Sequence, residues 1–283
     1  MGISGGLLAV TGVTDSSREL LCNSKKMGSM IKDLAGFFLG GAPQSSQARQ
    51  QPTPSVQRDD AKAWWWEKRD VERDVFASSR HRAHLPRCKK TGRPLKILAL
   101  HGRGSNNDIT TIQLTSLECP TRCVADLLSA PHDAGPQSGV FRMLSNRPFH
   151  KWGYAEEPLR GVLAYIETHG PFDGLYGFSQ GAAVVTALSK PGVAEGFGAK
   201  RTWRFVICAC GVPPPGGGKV DLPSLQISGA ADPFRAASRA LAGVYDDPVL
   251  LEHAGGHELP LKLRHDAPFK DALDAFFDRM LAL

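Results

Sequence analysis

Over the last two thirds of the chain, short apolar runs alternate with amphipathic stretches. Lys96 to Leu100 is mostly apolar and stops at His101-Gly102, which predicts a buried strand followed by a turn. Cys123 to Leu128 predicts a second strand, closed by Ala130-Pro131. Leu159, Val162, Leu163 and Ile166 share one side of a helix over 156–168. Leu175 to Phe178 reads as a third strand, and the small apolar residues 182–188 as a buried helix. Phe205 to Ala209 and Leu225 to Ser228 are the fourth and fifth strands, then a helix covers 235–244. Pro248 to Leu251 is a sixth strand. A closing amphipathic helix over 266–283 carries Leu273, Phe276, Phe277 and Met280 as its apolar stripe. Apolar strands separated by helices predict an α/β fold, a mostly parallel sheet of about six strands covered by helices on both faces. No internal repeat is present.

The front of the chain follows no such rhythm. Residues 1–13 are Gly-rich and mildly apolar with no basic residue, unlike a secretory signal, and Gly6 stands where myristoylation wants Ser or Thr. Residues 41–60 are rich in Gln, Ser and Pro, with almost nothing to bury, and predict a disordered linker. Residues 61–77 predict a charged helix carrying Trp64, Trp65 and Trp66, which either docks on the core or meets a membrane or partner. His81 to Arg93 is a basic connector. The expected division is a largely disordered extension over 1–90 and a catalytic domain over 91–283. Ser and Arg in the leader suit an organelle address, whereas Asp15, Glu19 and Asp33 do not, so targeting stays open beside a cytoplasmic location.

Composition narrows the function classes. The 42% apolar content is that of a globular protein, and no run of about eighteen apolar residues marks a membrane span. Residues 1–93 hold 16 Lys and Arg against 9 Asp and Glu, whereas 94–283 hold 18 against 19. The formal charge of +6 therefore belongs to the front, and a near-neutral body argues against nucleic-acid binding. The six cysteines form no CxxC pair, so they predict neither a thioredoxin-like nor a zinc-ribbon site. They read as reduced thiols of an intracellular protein, with a secreted, partly bridged one as the alternative.

Gly177-Phe178-Ser179-Gln180-Gly181 matches G-x-S-x-G, the pattern of a nucleophile elbow. Such a turn from strand to helix is so tight that only glycines two residues either side let the elements pass, and the strain lifts the serine hydroxyl clear of the sheet. Gly2-Ile3-Ser4-Gly5-Gly6 matches as well, but no strand precedes it. A serine hydroxyl needs a base, and in this architecture acid and histidine follow the serine. His257, after Gly255-Gly256 and ahead of the closing helix, is preferred to His253 at a strand end. Asp232 follows a strand and the Gly229-Ala230-Ala231 turn, which puts it beside the elbow. Asp221, Asp246 and Asp247 precede strands and lie at the wrong end. His101 comes before the serine and is expected to pack under the elbow. Its loop, His101-Gly102-Arg103-Gly104, can present a backbone N–H to the site, with the N–H of Gln180 as second donor for an oxyanion.

LALHGRGSNN, GLYGFSQGAA, SLQISGAADP and HAGGHELP, in that order, resemble the FSH-type serine hydrolases, a branch of the α/β-hydrolases. Ser129 to Pro136 (SAPHDAGP) resembles a further loop of some members. The resemblance covers roughly 94–283 and implies an α/β-hydrolase fold without a large cap domain. It implies the triad Ser179, Asp232 and His257, elbow glycines Gly177 and Gly181, and oxyanion N–H groups of Arg103 and Gln180. It also implies no metal and no organic cofactor, and hydrolysis of small to medium carboxylic esters, or of thioesters, through an acyl-enzyme. One departure is the short stretch before Cys123, with Glu118-Cys119-Pro120-Thr121 where a longer helix and loop is expected; it bears on pocket shape. Rival expectations are a thioesterase or acyl-protein deacylase on the same site, and a non-catalytic small-molecule receptor on the same fold. Arg103, Arg142, Arg147 and Lys151 are either solvated or a preference for an anionic substrate. Oligomeric state is not readable.

Overall fold

The computed structural model describes residues 64–76, 79–153 and 156–283; the leader, the linker over 41–60 and the front of the 61–77 segment lie outside the described residues. Among these the strands are β1 (Val71–Val75), β2 (Leu95–Leu100), β3 (Cys123–Leu128), β4 (His132–Ala134), β5 (Phe149–Lys151), β6 (Gly174–Phe178), β7 (Phe205–Ala209), β8 (Val220–Gly229) and β9 (Tyr245–His253). One sheet has the order β1-β3-β2-β6-β7-β8-β9, and β4 pairs with β5 apart from it. The pairings from β3 to β9 are parallel and β1 alone runs antiparallel, against β3.

The apolar runs are continuous because both sheet faces are covered. Successive side chains point to opposite faces, so Leu98 and Leu100 enter one core while Ile97 and Ala99 enter the other. The first core meets the helices Glu156–His169 and Gln180–Ser189; the second meets Asn107–Ser116 and the closing helix Ala267–Ala282. Helix starts are set by side chains that accept an otherwise unpaired N–H: Asn106 from Ile109 (3.2 Å) and Asp266 from Phe269 (3.0 Å). The helix Asn107–Ser116 occupies the short stretch ahead of β3. Between β3 and the helix Glu156–His169 the described residues add only the β4–β5 pair and the short helix Gly139–Leu144, so this stretch carries no large cap among the described residues.

The helix expected over 61–77 is corrected. Trp65–Lys68 is a single 3-10 turn, and Val71–Val75 is a strand, the seventh of the main sheet. Helical propensity loses to a buried carboxylate. Asp126 in β3 is fully buried and takes the Asp74 N–H (2.9 Å), the Tyr165 hydroxyl (3.0 Å) and the Lys96 ammonium (3.1 Å). A buried charge is strongly destabilising unless partners satisfy it, and the Asp74 N–H reaches it from a bulge in the strand, where Asp74 has φ 53°. Trp66 is buried beside this strand, edge-on to Tyr165 and His169. Residues of both described segments ahead of 91, 64–76 and 79–90, thus pack against the body, with Trp66 in one core and Cys88 in the other. No described helix is long and apolar enough to cross a membrane.

Candidate active site

The C-terminal ends of β2, β6, β8 and β9 converge on one point. At the end of β6, Ser179 has φ 52° and ψ −113°, in the left-handed half of backbone space that costs a non-glycine residue about 1–3 kcal/mol. The surroundings enforce that conformation. A Cβ on Gly177 would lie 2.5 Å from the Ala182 nitrogen, and one on Gly181 would lie 2.3 Å from the Leu100 carbonyl oxygen. Strand, helix and neighbouring strand therefore approach to backbone contact, and both elbow glycines are sterically required. The Ser179 N–H donates to the Ala209 carbonyl (2.9 Å), which fixes the turn to β7.

The acid and the histidine come from adjacent loops. Gly229 ends β8, and a Cβ there would meet the carbonyl oxygens of Gly256 (2.2 Å) and Gly255 (2.3 Å). The Ala231 N–H donates to the Gly255 carbonyl (3.0 Å), so the two loops lie backbone to backbone. This brings His257 Nδ1 to 2.8 Å from Asp232 Oδ2, and His257 Nε2 to 2.9 Å from Ser179 Oγ. The other Asp232 oxygen, Oδ1, accepts the Phe234 N–H at 2.7 Å. Phe178 and Phe234 each stand 5.2 Å from the His257 ring, and Phe234 is more than half exposed beside it.

The rejected residues lie elsewhere. His253 is buried at the end of β9, where its Nδ1 accepts the Gly255 N–H (3.1 Å) and shapes the turn that carries His257. Asp221 pairs with Arg201 and Asp247 with Arg279, both at the starts of strands. Arg147 is held by Glu72 and Asp108, so it is engaged in structure.

His101 does more than pack. It is fully buried, and its Nε2 accepts the Ala130 N–H at 3.0 Å. The ring proton must then sit on Nδ1, which donates to the Gly102 carbonyl at 2.7 Å. A trans peptide is planar, so a carbonyl turned to the imidazole sends the following Arg103 N–H to the opposite side. Gly102 itself lies against the elbow, a Cβ there falling 3.1 Å from Ser179 Cβ. Gln180 also has a second role: its side chain is a two-point clamp on Trp152, whose N–H it accepts and whose carbonyl it donates to, each at 3.0 Å. The Trp152 indole in turn donates to the His101 carbonyl at 2.7 Å. No local signal marks Trp152, because its partners are 28 and 51 residues away.

Burial pushes the His101 imidazole down to about 4, against a neighbouring hydrogen bond that favours the cation. The folded protein thus holds it neutral while the unfolded chain binds a proton near pH 6.5. Its contribution to stability is complete above that value and is lost as pH falls towards 4. The whole interval is worth roughly 3 kcal/mol. Burial lowers His150 and His253 in the same direction. Urea unfolding between pH 7 and 4 should therefore show falling stability, with a shallower slope in His101→Asn. An equal slope in that variant would remove His101 as a source.

Cys210, at the end of β7, is buried behind the acid, and its Sγ, an Asp232 oxygen and a His257 nitrogen lie within 4.8 Å of one another. These are the side chains among the described residues that could share a metal. Two ligands on one zinc ion sit roughly 3.3 Å apart, so the 2.8 Å His257–Asp232 contact is the length of a hydrogen bond instead. Burial raises the Cys210 thiol, which donates to the Glu258 carbonyl at 3.5 Å. Cys88, Cys119, Cys123, Cys208 and Cys210 are all free and buried.

The family described as Serine hydrolase (FSH1) matches residues 90–269. Esterase OVCA2 of Xenopus tropicalis is 30% identical over 226 residues, spanning 67% of this chain and 94% of that protein. Esterase FUS5 of Gibberella fujikuroi is 29% identical over 187 residues, spanning 58% and 79%. Among solved structures, the Bacillus cereus carboxylesterase is similar with a TM-score of 0.45 at 17% identity, over 69% of this chain and 92% of that one. The family match spans the elbow, both loops beside it and the strands that carry them, and on that extent the chain belongs to the FSH1 serine hydrolase family.

Proposed function

We propose that the chain is an esterase that cleaves carboxylic esters of small to medium acyl groups through Ser179, His257 and Asp232. The observation that carries this is the unbroken relay from Ser179 Oγ through both His257 nitrogens to Asp232. Asp232 holds the Nδ1 proton, which leaves Nε2 as a base aimed at the hydroxyl. His257 takes the Ser179 proton as Oγ attacks the acyl carbon. The tetrahedral oxyanion is received by the N–H of Gln180, in the first turn of a helix where backbone donors lack intrahelical acceptors, and by the N–H of Arg103. His257 then protonates the leaving alcohol. A water that gives its proton to the same nitrogen releases the acid and restores the serine. The exposed Phe234 ring beside His257 offers an apolar wall for an acyl chain. The esterase names of relatives in two kingdoms support the same chemistry.

A fluorophosphonate probe should label the folded protein once per chain, on the peptide that contains Ser179. Labelling should run in parallel with hydrolysis of short p-nitrophenyl esters, and a matched thioester panel ranks the two substrate classes. Label on another serine would sink the assignment of the nucleophile. A folded protein that neither labels nor turns over, yet is stabilised by small acyl ligands, would be a receptor on the hydrolase fold.

A further inference from the structure

We propose that Trp65, ahead of the first strand, is a positioning residue for the reaction: together with Trp152 it braces the His101–Gly104 loop. The inference rests on that loop supplying an oxyanion donor, as proposed above.

Trp152 is fully buried and held at three points, by Gln180 on its backbone N–H and carbonyl and by its own indole on the His101 carbonyl. Its ring also lies 5.6 Å from the His101 imidazole. A shift of Trp152 therefore moves the His101 carbonyl and the Gln180 side chain together, one from each proposed donor segment. Trp65 covers Trp152 edge-on, with centroids 5.9 Å apart and planes at 77°. Behind Trp65 the helix Glu156–His169 has Gly161, where a Cβ would sit 2.2 Å from the indole nitrogen. The missing side chain makes the slot in which the ring rests, so Trp65 is wedged between a helix backbone and Trp152.

The wedge has its own foundations. Trp66 is buried against Tyr165 and His169. Arg69 reaches Asp133 and the Pro131 carbonyl, each at 2.7 Å, and the Asn107 amide donates to the Asp70 carbonyl at 2.9 Å. These bonds and ring contacts are made to residues other than Trp152, so they anchor the segment in addition to the contact it makes there. Transition-state stabilisation by a backbone N–H depends on placement to a fraction of an ångström, and a misplacement of 1 Å costs about 100-fold. Loss of the Trp65 ring would open space beside Trp152 and let the loop relax.

The test compares Trp65→Ala, Trp65→Phe, Trp203→Leu and Ser179→Ala in the full chain, with kcat and KM for p-nitrophenyl acetate and thermal melting. Trp65→Ala should lower kcat about 10- to 100-fold with KM within about threefold, and Trp65→Phe should restore most of it. Trp203→Leu removes a more buried ring of the same core, one that donates to Ser189 at the far end of the helix Gln180–Ser189. It should cost as much in melting temperature while leaving kcat near wild type. Equal loss of kcat in Trp65→Ala and Trp203→Leu, or a wild-type kcat in Trp65→Ala, would overturn the proposal. If Trp65→Ala does not fold, Gly161→Ala carries the test, since its methyl displaces the ring without removing it; an unchanged kcat there overturns the proposal equally. Turnover that survives Ser179→Ala would instead show that the functional assignment has failed.

Discussion

Ser179→Ala should reduce kcat for a p-nitrophenyl ester by about 10⁶-fold and abolish fluorophosphonate labelling, while the protein melts within a few degrees of wild type. The activity loss follows from the chemistry: without Oγ there is no acyl-enzyme, and His257 can only assist direct attack by water. Some rate above the uncatalysed reaction should persist if the proposed oxyanion donors, the Gln180 and Arg103 N–H groups, act as assigned, because the substitution leaves both in place. The small stability effect follows from the backbone. Alanine inherits the φ of 52° unchanged, since the elbow strain comes from the close approach at Gly177 and Gly181 and not from the hydroxyl. Activity within tenfold of wild type would mean that the relay is structural.

Asp232→Asn should lower kcat by about 10⁴-fold with little change in KM. Geometry makes this substitution unusually directed. Asp232 Oδ1 accepts the Phe234 N–H at 2.7 Å, so an asparagine must keep its carbonyl there and turn its amide NH₂ to His257. That NH₂ donates to Nδ1, drives the ring proton to Nε2 and removes the base from the serine. The imidazolium formed during attack also loses its counter-charge. Neither cause alters where the substrate binds, hence the kcat effect. The check is steady-state kinetics beside Asp247→Asn, whose carboxylate pairs with Arg279 at the other end of β9 and should matter little. If both variants behave alike, Asp232 does not orient the base.

The elements of this site were unequally legible in the amino-acid sequence. The elbow was readable because its requirements are local: five consecutive residues contain the strain, the two glycines that permit it, and the hydroxyl it exposes. Asp232 and His257 were readable at one remove, from their place after β8 and β9 and from the glycines beside them. The observed packing of Gly229 on the Gly255–Gly256 backbone is the reason those glycines are needed. The parallel sheet and its helices were readable because burial on both faces leaves uninterrupted apolar strands.

The misplaced and missed parts depend on partners far along the chain. Val71–Val75 has the charge pattern of a surface helix, and both its pairing with β3 and the bond from the Asp74 N–H to the buried Asp126 carboxylate, 52 residues away, exist only in the assembled sheet. The three-residue strands β4 and β5 are too short to show a period. His101 reads as a packing residue until the Ala130 N–H fixes its tautomer. Gln180 reads as a backbone donor until its side chain is seen clamping Trp152. By itself, then, the sequence determined the fold class and singled out Ser179, His257 and Asp232, which the fold brings within hydrogen-bond distance of one another, because steric strain, chain order and burial periodicity are written in neighbouring residues. The edge strand, the tautomer of His101 and the bracing of its loop were decided by tertiary structure alone, because each rests on a hydrogen bond or ring contact that exists only once distant segments have met.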